Sequence, residues 1–344
     1  MEKLPEPPQL LPSKNTVTRH KLRIGGKEIV YSATAGELPL QTESGEIEAR
    51  IFYVAYKAEA KGGAKRRPLL FIFNGGPGAA SVWLHLGAIG PKRVQMLPDG
   101  NMPAPPFQLV DNASSWLDVA DLVFVDPVGT GYSRAEKPDL TKKFTTVRGD
   151  IDSLGSFIRL YLTRYQCWDS PLFLVGESYG TFRAAGLADH LVEHGIALSG
   201  VIEISMVLNM QTLSFDNGND LPYQLFLPSY TATAWYHKKL APDLQANLEQ
   251  TLSAAEQWAA GEYQDALNKG DRLSQAERQA VIDKMARFTG LTPSFIDNRN
   301  LRIDQTTFAT ELLRDSRRVT GLMDSRLTAA NVEPSALRSF DPTV

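Results

Sequence analysis

Cysteine is nearly absent from this 344-residue chain: Cys167 is the only one, so no disulfide can form within it. That excludes the disulfide-stapled, core-poor architecture of small secreted domains and is compatible with a reducing compartment. A charge excess is missing too. Lys and Arg number 36 against 39 Asp and Glu, a formal net charge of −3, which offers no electrostatic footprint for nucleic acid or an anionic membrane. The short basic run Lys65-Arg66-Arg67 lies in a Gly-rich connector and reads as solvated. No apolar run reaches the roughly 20 residues that a bilayer-spanning helix needs. The first residues, Met1-Glu2-Lys3-Leu4-Pro5, carry no apolar signal core. The compartment is unknown from this sequence: the cytoplasm and, were the amino terminus incomplete, the periplasm or exterior all stay open. No internal repeat is visible and nothing in the pattern signals an oligomer. What the chain does have is apolar residues, 43% of the total, enough at this length for a large core.

The most informative stretch is Val175-Gly176-Glu177-Ser178-Tyr179-Gly180. Residues 171–175 read as a short buried strand and residues 181–192 as a helix. A serine with glycines two positions to either side, between a strand and a helix, is the nucleophile-elbow pattern. The turn is tight enough that side chains at the flanking positions would clash. It holds the Ser178 hydroxyl out at the carboxyl edge of a sheet. The next amide, that of Tyr179, opens a helix, where unpaired N–H groups favour a developing oxyanion.

Two further motifs follow strands. Asn74-Gly75-Gly76-Pro77-Gly78 comes directly after the apolar run 68–73; such a glycine-rich turn lets backbone amides approach a ligand, as in the loop that supplies a second oxyanion donor. Asp126-Pro127-Val128-Gly129-Thr130-Gly131-Tyr132-Ser133 follows the strand 121–125. It has neither a Gly-Lys-Ser/Thr ending nor a full G-x-G-x-x-G, so it is not read as a phosphate loop.

Together, residues 74–78, 112–116, 126–133 and 176–180 resemble the serine carboxypeptidase family, the relatives of cathepsin A and of yeast and wheat carboxypeptidases. The resemblance runs from about residue 50 to the end of the chain and is strongest over 69–236. The low cysteine content and Val82-Trp83-Leu84-His85 resemble bacterial members. The resemblance implies an α/β-hydrolase fold, a mainly parallel sheet flanked by helices with a helical cap insertion, the sheet incomplete at its carboxyl end. It implies Ser178 as nucleophile, the backbone N–H groups of Gly76 and Tyr179 as oxyanion hole, and Asn74 with Glu177 as the binders of a substrate's terminal carboxylate. No metal or organic cofactor is implied; the partner is a peptide with a free carboxyl terminus. An amide NH2 or a protonated carboxyl group can donate to a carboxylate, whereas an ionised Glu177 would repel it. Peptidase activity is therefore expected to weaken as pH rises, and substrates without a free carboxylate to be spared that loss.

The chain departs from the family pattern at three places. Ala79 stands where many relatives have Cys, and Ala88 stands where many have a Glu belonging to the carboxylate-binding network. The family's triad order is Ser, then Asp, then His, yet none of the five histidines, His20, His85, His190, His194 and His237, lies beyond position 237. His190 and His194, one helical turn apart, read as surface or satisfied core residues. His85, in Trp83-Leu84-His85-Leu86, reads as part of a packed apolar stretch, and His237 as part of an insertion. Cys167 reads as packed rather than nucleophilic. The triad Asp and His are expected beyond Val344, with the chain as the amino-terminal part of a longer enzyme. The expected function is serine-type carboxypeptidase action through an acyl-enzyme on Ser178. An esterase or acyltransferase of the same fold, and a catalytically inactive binding protein, stand as alternatives.

The expected layout has residues 1–20 loose, an α/β-hydrolase core over 21–208, and a mainly helical cap over 209–344. Antiparallel strands are expected over 24–56, and further strands near 69–73, 122–126, 171–175 and 200–205. A helix near 150–164 would show Ile151, Leu154, Ile158, Tyr161 and Leu162 on one face. Later helices are expected near 243–260, 275–288, 294–299 and 306–315, with Ser274 and Glu277 forming a capping box and Thr292-Pro293 a cap with Pro at the first helical position.

Overall fold

The computed structural model describes residues 15–59 and 66–331, and the chain forms two compact units that meet in sequence between Leu208 and Asn209.

The first unit opens with three long antiparallel strands, β1 (Thr16–Ile24), β2 (Lys27–Gln41) and β3 (Ile47–Ala58). There follow β4 (Leu69–Phe73), the short helix α1 (Val82–Leu84), the hairpin β5 (Lys92–Val94) and β6 (Leu109–Asp111), β7 (Asp121–Val125) and β8 (Arg134–Ala135). Helices α2 (Thr141–Phe144) and α3 (Val147–Tyr165), strand β9 (Leu172–Glu177), helix α4 (Tyr179–Glu193) and strand β10 (Gly200–Ile204) complete it. One sheet runs in the order β1-β2-β3-β7-β4-β9-β10, with β8 beside β3. It is mixed: β1, β2 and β3 pair antiparallel, β3 meets β7 antiparallel, and β7, β4, β9 and β10 are parallel.

The inner parallel strands β4 and β7 read as continuous apolar runs because both faces are covered, whereas the edge strand β10 alternates half-buried and exposed residues. All five residues of β4 are buried. Their alternation sends Phe71 and Phe73 into a core shared with Leu154, Phe157 and Ile158 of α3 and Leu187 and Leu191 of α4. Leu70 and Ile72 enter the opposite core with Leu84, Ile89 and Leu117. Each such side chain contributes roughly 1.5–3 kcal/mol of burial. Of the apolar face foreseen on α3, Leu154, Ile158, Tyr161 and Leu162 are buried and Ile151 is half-buried. The amino-terminal expectation needs correction: β1 starts at Thr16, so residues 16–20 are strand, not loose chain. Residues 1–14 lie outside the described residues.

The second unit is helical: α5 (Leu221–Tyr236), α6 (Pro242–Gln245), α7 (Leu248–Trp258), α8 (Gln264–Lys269), α9 (Gln275–Thr289), α10 (Pro293–Asn298) and α11 (Gln305–Glu311), then a hairpin of β11 (Arg318–Thr320) and β12 (Thr328–Ala330). Its core gathers Tyr230, Trp258, Tyr263, Met285, Phe288 and Phe308. The capping box forms: Ser274 accepts from the Glu277 N–H, and the Glu277 carboxylate accepts from the Ser274 N–H. Thr292 accepts from the Phe295 N–H, with Pro293 opening α10. The helix foreseen over 243–260 is two helices, because the Asn247 side chain accepts from the Gln250 N–H and starts α7 afresh. Helix α5 had no counterpart in the sequence reading. Pro228 lies inside it, and a mid-helix Pro ordinarily marks a break.

Candidate active site

Register places the site. In the parallel pair β4–β9, Phe73 lies opposite Gly176, and in β4–β7 Ile72 lies opposite Phe124. The next residues along, Asn74 after β4, Asp126 after β7 and Glu177 with Ser178 at the end of β9, therefore emerge side by side at one carboxyl edge. That edge is where open α/β sheets bind their ligands.

At Ser178 the chain turns from β9 into α4 with φ 55° and ψ −126°, a conformation that costs an L-residue on the order of 1–3 kcal/mol and persists only where its surroundings over-determine it. Here they do. The Ser178 N–H donates to Ile204 O at 3.0 Å. Its carbonyl accepts from the Thr181 N–H at 2.9 Å and from the Thr181 hydroxyl at 2.7 Å. The same hydroxyl accepts from the Val207 N–H at 2.9 Å. A methyl at Gly176 would stand 2.0 Å from Gly180 O, and one at Gly180 would stand 2.8 Å from Phe73 O. Both flanking positions are thus closed to any side chain. Ser178 itself is half-buried, and Tyr179 is the first residue of α4, whose first-turn amides have no acceptor within the helix.

The glycine-rich loop packs directly on this turn. A methyl at Gly75 would stand 2.5 Å from Tyr179 N and 2.7 Å from Glu177 O. Gly76 follows at φ +106°, a backbone that side chains rarely adopt. The Asn74 side chain is fixed at both ends: Nδ2 donates to Glu177 Oε2 at 3.0 Å, and Oδ1 accepts from the Leu84 N–H at 2.9 Å. The five residues singled out in the sequence, Asn74, Gly76, Glu177, Ser178 and Tyr179, therefore lie in two segments that touch.

The third motif braces the second. Asp126 Oδ1 accepts from the Ser81 N–H at 2.9 Å and Oδ2 from the Tyr132 N–H at 3.3 Å. Burial pushes the Asp126 carboxyl above its ordinary range, and the two N–H bonds pull against that rise. The Ser81 hydroxyl donates to Ile72 O at 3.2 Å and also to Val125 O.

The histidines are occupied elsewhere. His85 Nε2 shares a 2.6 Å hydrogen bond with the Tyr56 hydroxyl, and its ring stacks on Phe124 at 4.5 Å. Burial lowers its pKa to about 4. Its neighbour Trp83 is not packed as expected: it is 62% exposed, because the face of this short helical segment that meets the sheet is the one bearing Leu84 and Ile89. His190 and His194 stack on each other at 4.2 Å, with His190 Nδ1 3.3 Å from Asp152 Oδ1. His20 bonds Thr18, and His237 bonds Ser325 O at 2.7 Å. Cys167 is buried, and burial raises its thiol pKa. Among the described residues, no group of three His, Cys, Asp or Glu side chains is placed to hold a metal ion, and no helix is long and apolar enough to cross a membrane.

Sequence reasoning missed Arg183 and Asp150. Arg183, 2% exposed, donates from Nε to Asp150 Oδ2 and from Nη1 to Asn74 O, both at 2.7 Å. The available signal was a lone Arg on the helix face that also carries Gly180, Ala184 and Leu187, all buried. A charge on an apolar face implies a buried partner.

A serine on a strained strand-to-helix turn, at the carboxyl edge of parallel strands and against a glycine-rich loop from the neighbouring strand, defines an α/β-hydrolase. Comparison with known proteins refines that class. The family model described as serine carboxypeptidase matches residues 34–331, and the chain belongs to the serine carboxypeptidase family. It is 28% identical over 265 residues to the pheromone-processing carboxypeptidase KEX1 of Verticillium alfalfae, covering 73% of this chain and 37% of that protein. It is 33% identical over 147 residues to serine carboxypeptidase-like 29 of Arabidopsis thaliana, covering 42% of this chain and 28% of that one. The chain thus spans well under half the length of these relatives. Among solved structures it is similar to Kex1(delta)p, a prohormone-processing carboxypeptidase from Saccharomyces cerevisiae, with a TM-score of 0.47 and 21% identity, covering 78% of this chain and 52% of that one.

Proposed function

We propose that this chain carries the nucleophile and substrate-carboxylate site of a serine-type carboxypeptidase. Ser178 attacks the carbonyl of the last peptide bond, the amides of Gly76 and Tyr179 stabilise the oxyanion, and the amine leaves as the acyl-enzyme forms; water then releases the shortened peptide. Asn74 and Glu177 bind the terminal carboxylate. The observation that carries this reading is the contact between the two segments: the Gly75–Gly76 turn lies against the Tyr179 amide while Asn74 bonds Glu177 at 3.0 Å. The reading assigns the general base to none of the five histidines, whose hydrogen bonds and stacking occupy them elsewhere.

The test uses an N-blocked dipeptide and its C-amidated form, with Ser178→Ala as control. A carboxypeptidase cleaves the free acid and leaves the amide, and Ser178→Ala abolishes turnover. Equal cleavage of both would point to an esterase or amidase instead. Labelling of Ser178 by a fluorophosphonate reports the nucleophile alone. Glu177→Ala removes the partner of the Asn74 amide, so KM should rise for the free acid and stay unchanged for an ester that lacks a terminal carboxylate. An unchanged KM for the free acid removes Glu177 from the carboxylate site.

A further inference from the structure

Arg183 is buried at 2% exposure, and a buried guanidinium is tolerated only when its charge and donors are met. Asp150, in the first turn of α3 and itself buried, meets the charge at 2.7 Å. The Tyr179 ring lies 5.2 Å from Cζ. This ion pair joins α3 to α4 in the core. One donor is directed away from it: Nη1 reaches the main-chain carbonyl of Asn74 at 2.7 Å.

That carbonyl belongs to the peptide unit joining Asn74 to Gly75. A peptide unit is planar, so holding its oxygen fixes the opposite direction of the Gly75 N–H and the placement of Gly75, which has no room to spare against Tyr179 N. Glycines bring no side chain to anchor their own backbone; the anchor has to come from a neighbour. Helix α4 begins at Tyr179, so one rigid element carries both the Tyr179 amide and the guanidinium that holds the facing loop.

We propose that Arg183 is a positioning residue of the hydrolase site: through the Asn74 carbonyl it locks the 74–79 loop to α4, so that the Gly76 and Tyr179 amides keep a common focus. The proposal rests on the oxyanion-hole reading above and deepens it.

The test compares Arg183→Lys with the double variant Arg183→Met/Asp150→Leu in the full chain. The double variant removes both charges, so that no buried carboxylate is left unpaired. Two readouts are taken. The first is hydrogen exchange of the Ala79 and Leu84 amides, which bond Gly75 O at 3.2 Å and Asn74 Oδ1 at 2.9 Å, against core amides of α3. The second is the rate of Ser178 labelling by a fluorophosphonate. In the double variant, exchange at Ala79 and Leu84 should rise about tenfold or more with α3 unchanged. The maximal labelling rate should fall by roughly 10- to 100-fold, as for a donor displaced by about an ångström, with the half-saturating probe concentration nearly constant. Arg183→Lys, which keeps the charge and a donor, should recover most of both. Unchanged loop exchange, or a rise in step with α3, overturns the proposal. If the unaltered chain does not label at Ser178, as a chain without the triad base would not, the exchange measurement alone decides whether Arg183 holds the loop.

Discussion

The two units use side-chain hydrogen bonds differently. In the sheet unit four buried polar side chains fasten the backbone around one edge: Arg183 on Asn74 O, Thr181 on Ser178 O, Ser81 on Ile72 O and Ser133 on Asp126 O. There the backbone approaches itself so closely that a single methyl has no place. In the helical unit such bonds are spread over helix ends and core carbonyls: Asn247, Ser274, Thr292 and Asp304 cap helices, while Tyr263 donates to Leu301 O at 2.6 Å. One region concentrates its constraints around a strained serine; the other distributes them where any helical assembly needs them. The contrast separates precision built for a site from order built for a core.

The same substitution in both regions gives the sharpest test. Gly176→Ala drives a methyl to 2.0 Å from Gly180 O, among backbone atoms that cannot yield cheaply. Unfolding free energy should fall by about 3 kcal/mol, read by denaturant titration. A change near zero would mean the elbow adjusts easily, and the contrast would break.

Next is pH. His85 has a folded pKa of about 4 against an ordinary 6.5, so the unfolded chain takes up the proton first as pH falls. The stability this residue contributes is full above pH 6.5, is lost between 6.5 and about 4, and then levels off. The loss is at most about 3 kcal/mol. His85→Gln, neutral throughout and still able to face the Tyr56 hydroxyl, should lose less stability than the parent chain between pH 7 and pH 4. Parallel curves would show that the ring is solvated.

Tyr263→Phe leaves the buried Leu301 carbonyl without its hydroxyl partner and should cost about 1–2 kcal/mol without altering Ser178 labelling. Ser274→Ala removes the helix cap of α9 and should cost about 1 kcal/mol, visible in thermal melts. Gly261→Ala, where a methyl meets nothing within 4 Å, should stabilise by roughly 0.5–1 kcal/mol. It is the small opposite-signed counterpart to Gly176→Ala, and a destabilising result would place Gly261 with Gly290, where an added methyl would stand 2.8 Å from Lys239 Cβ and 3.1 Å from Lys239 O.

Much of the architecture was legible before any coordinates. Strands β4, β7, β9 and β10 fall within a residue or two of where apolar runs and turn residues placed them. The capping box at Ser274 and the Pro-led start of α10 were readable because a cap is a local arrangement of four or five residues. Helix α5 was not: Pro228 hid its continuity, and its apolar residues mark no single face. The exposure of Trp83 was not readable either, since composition shows that a stretch is apolar and not which of its faces meets the sheet. Arg183 and Asp150 stand 33 positions apart, and only the packing of α3 against α4 makes them a pair.

The sequence alone determined the α/β alternation and the glycines that a sharp strand-to-helix turn demands, because propensity, periodicity and steric room act over a few neighbouring residues. The tertiary structure decided the order β7-β4-β9-β10, the register that sets Asn74 beside Glu177, the packing of Gly75 on Tyr179 and the bond from Arg183 to Asn74 O. Each of these joins residues distant along the chain. Their pairing is fixed by the packing of whole elements, which no local window contains.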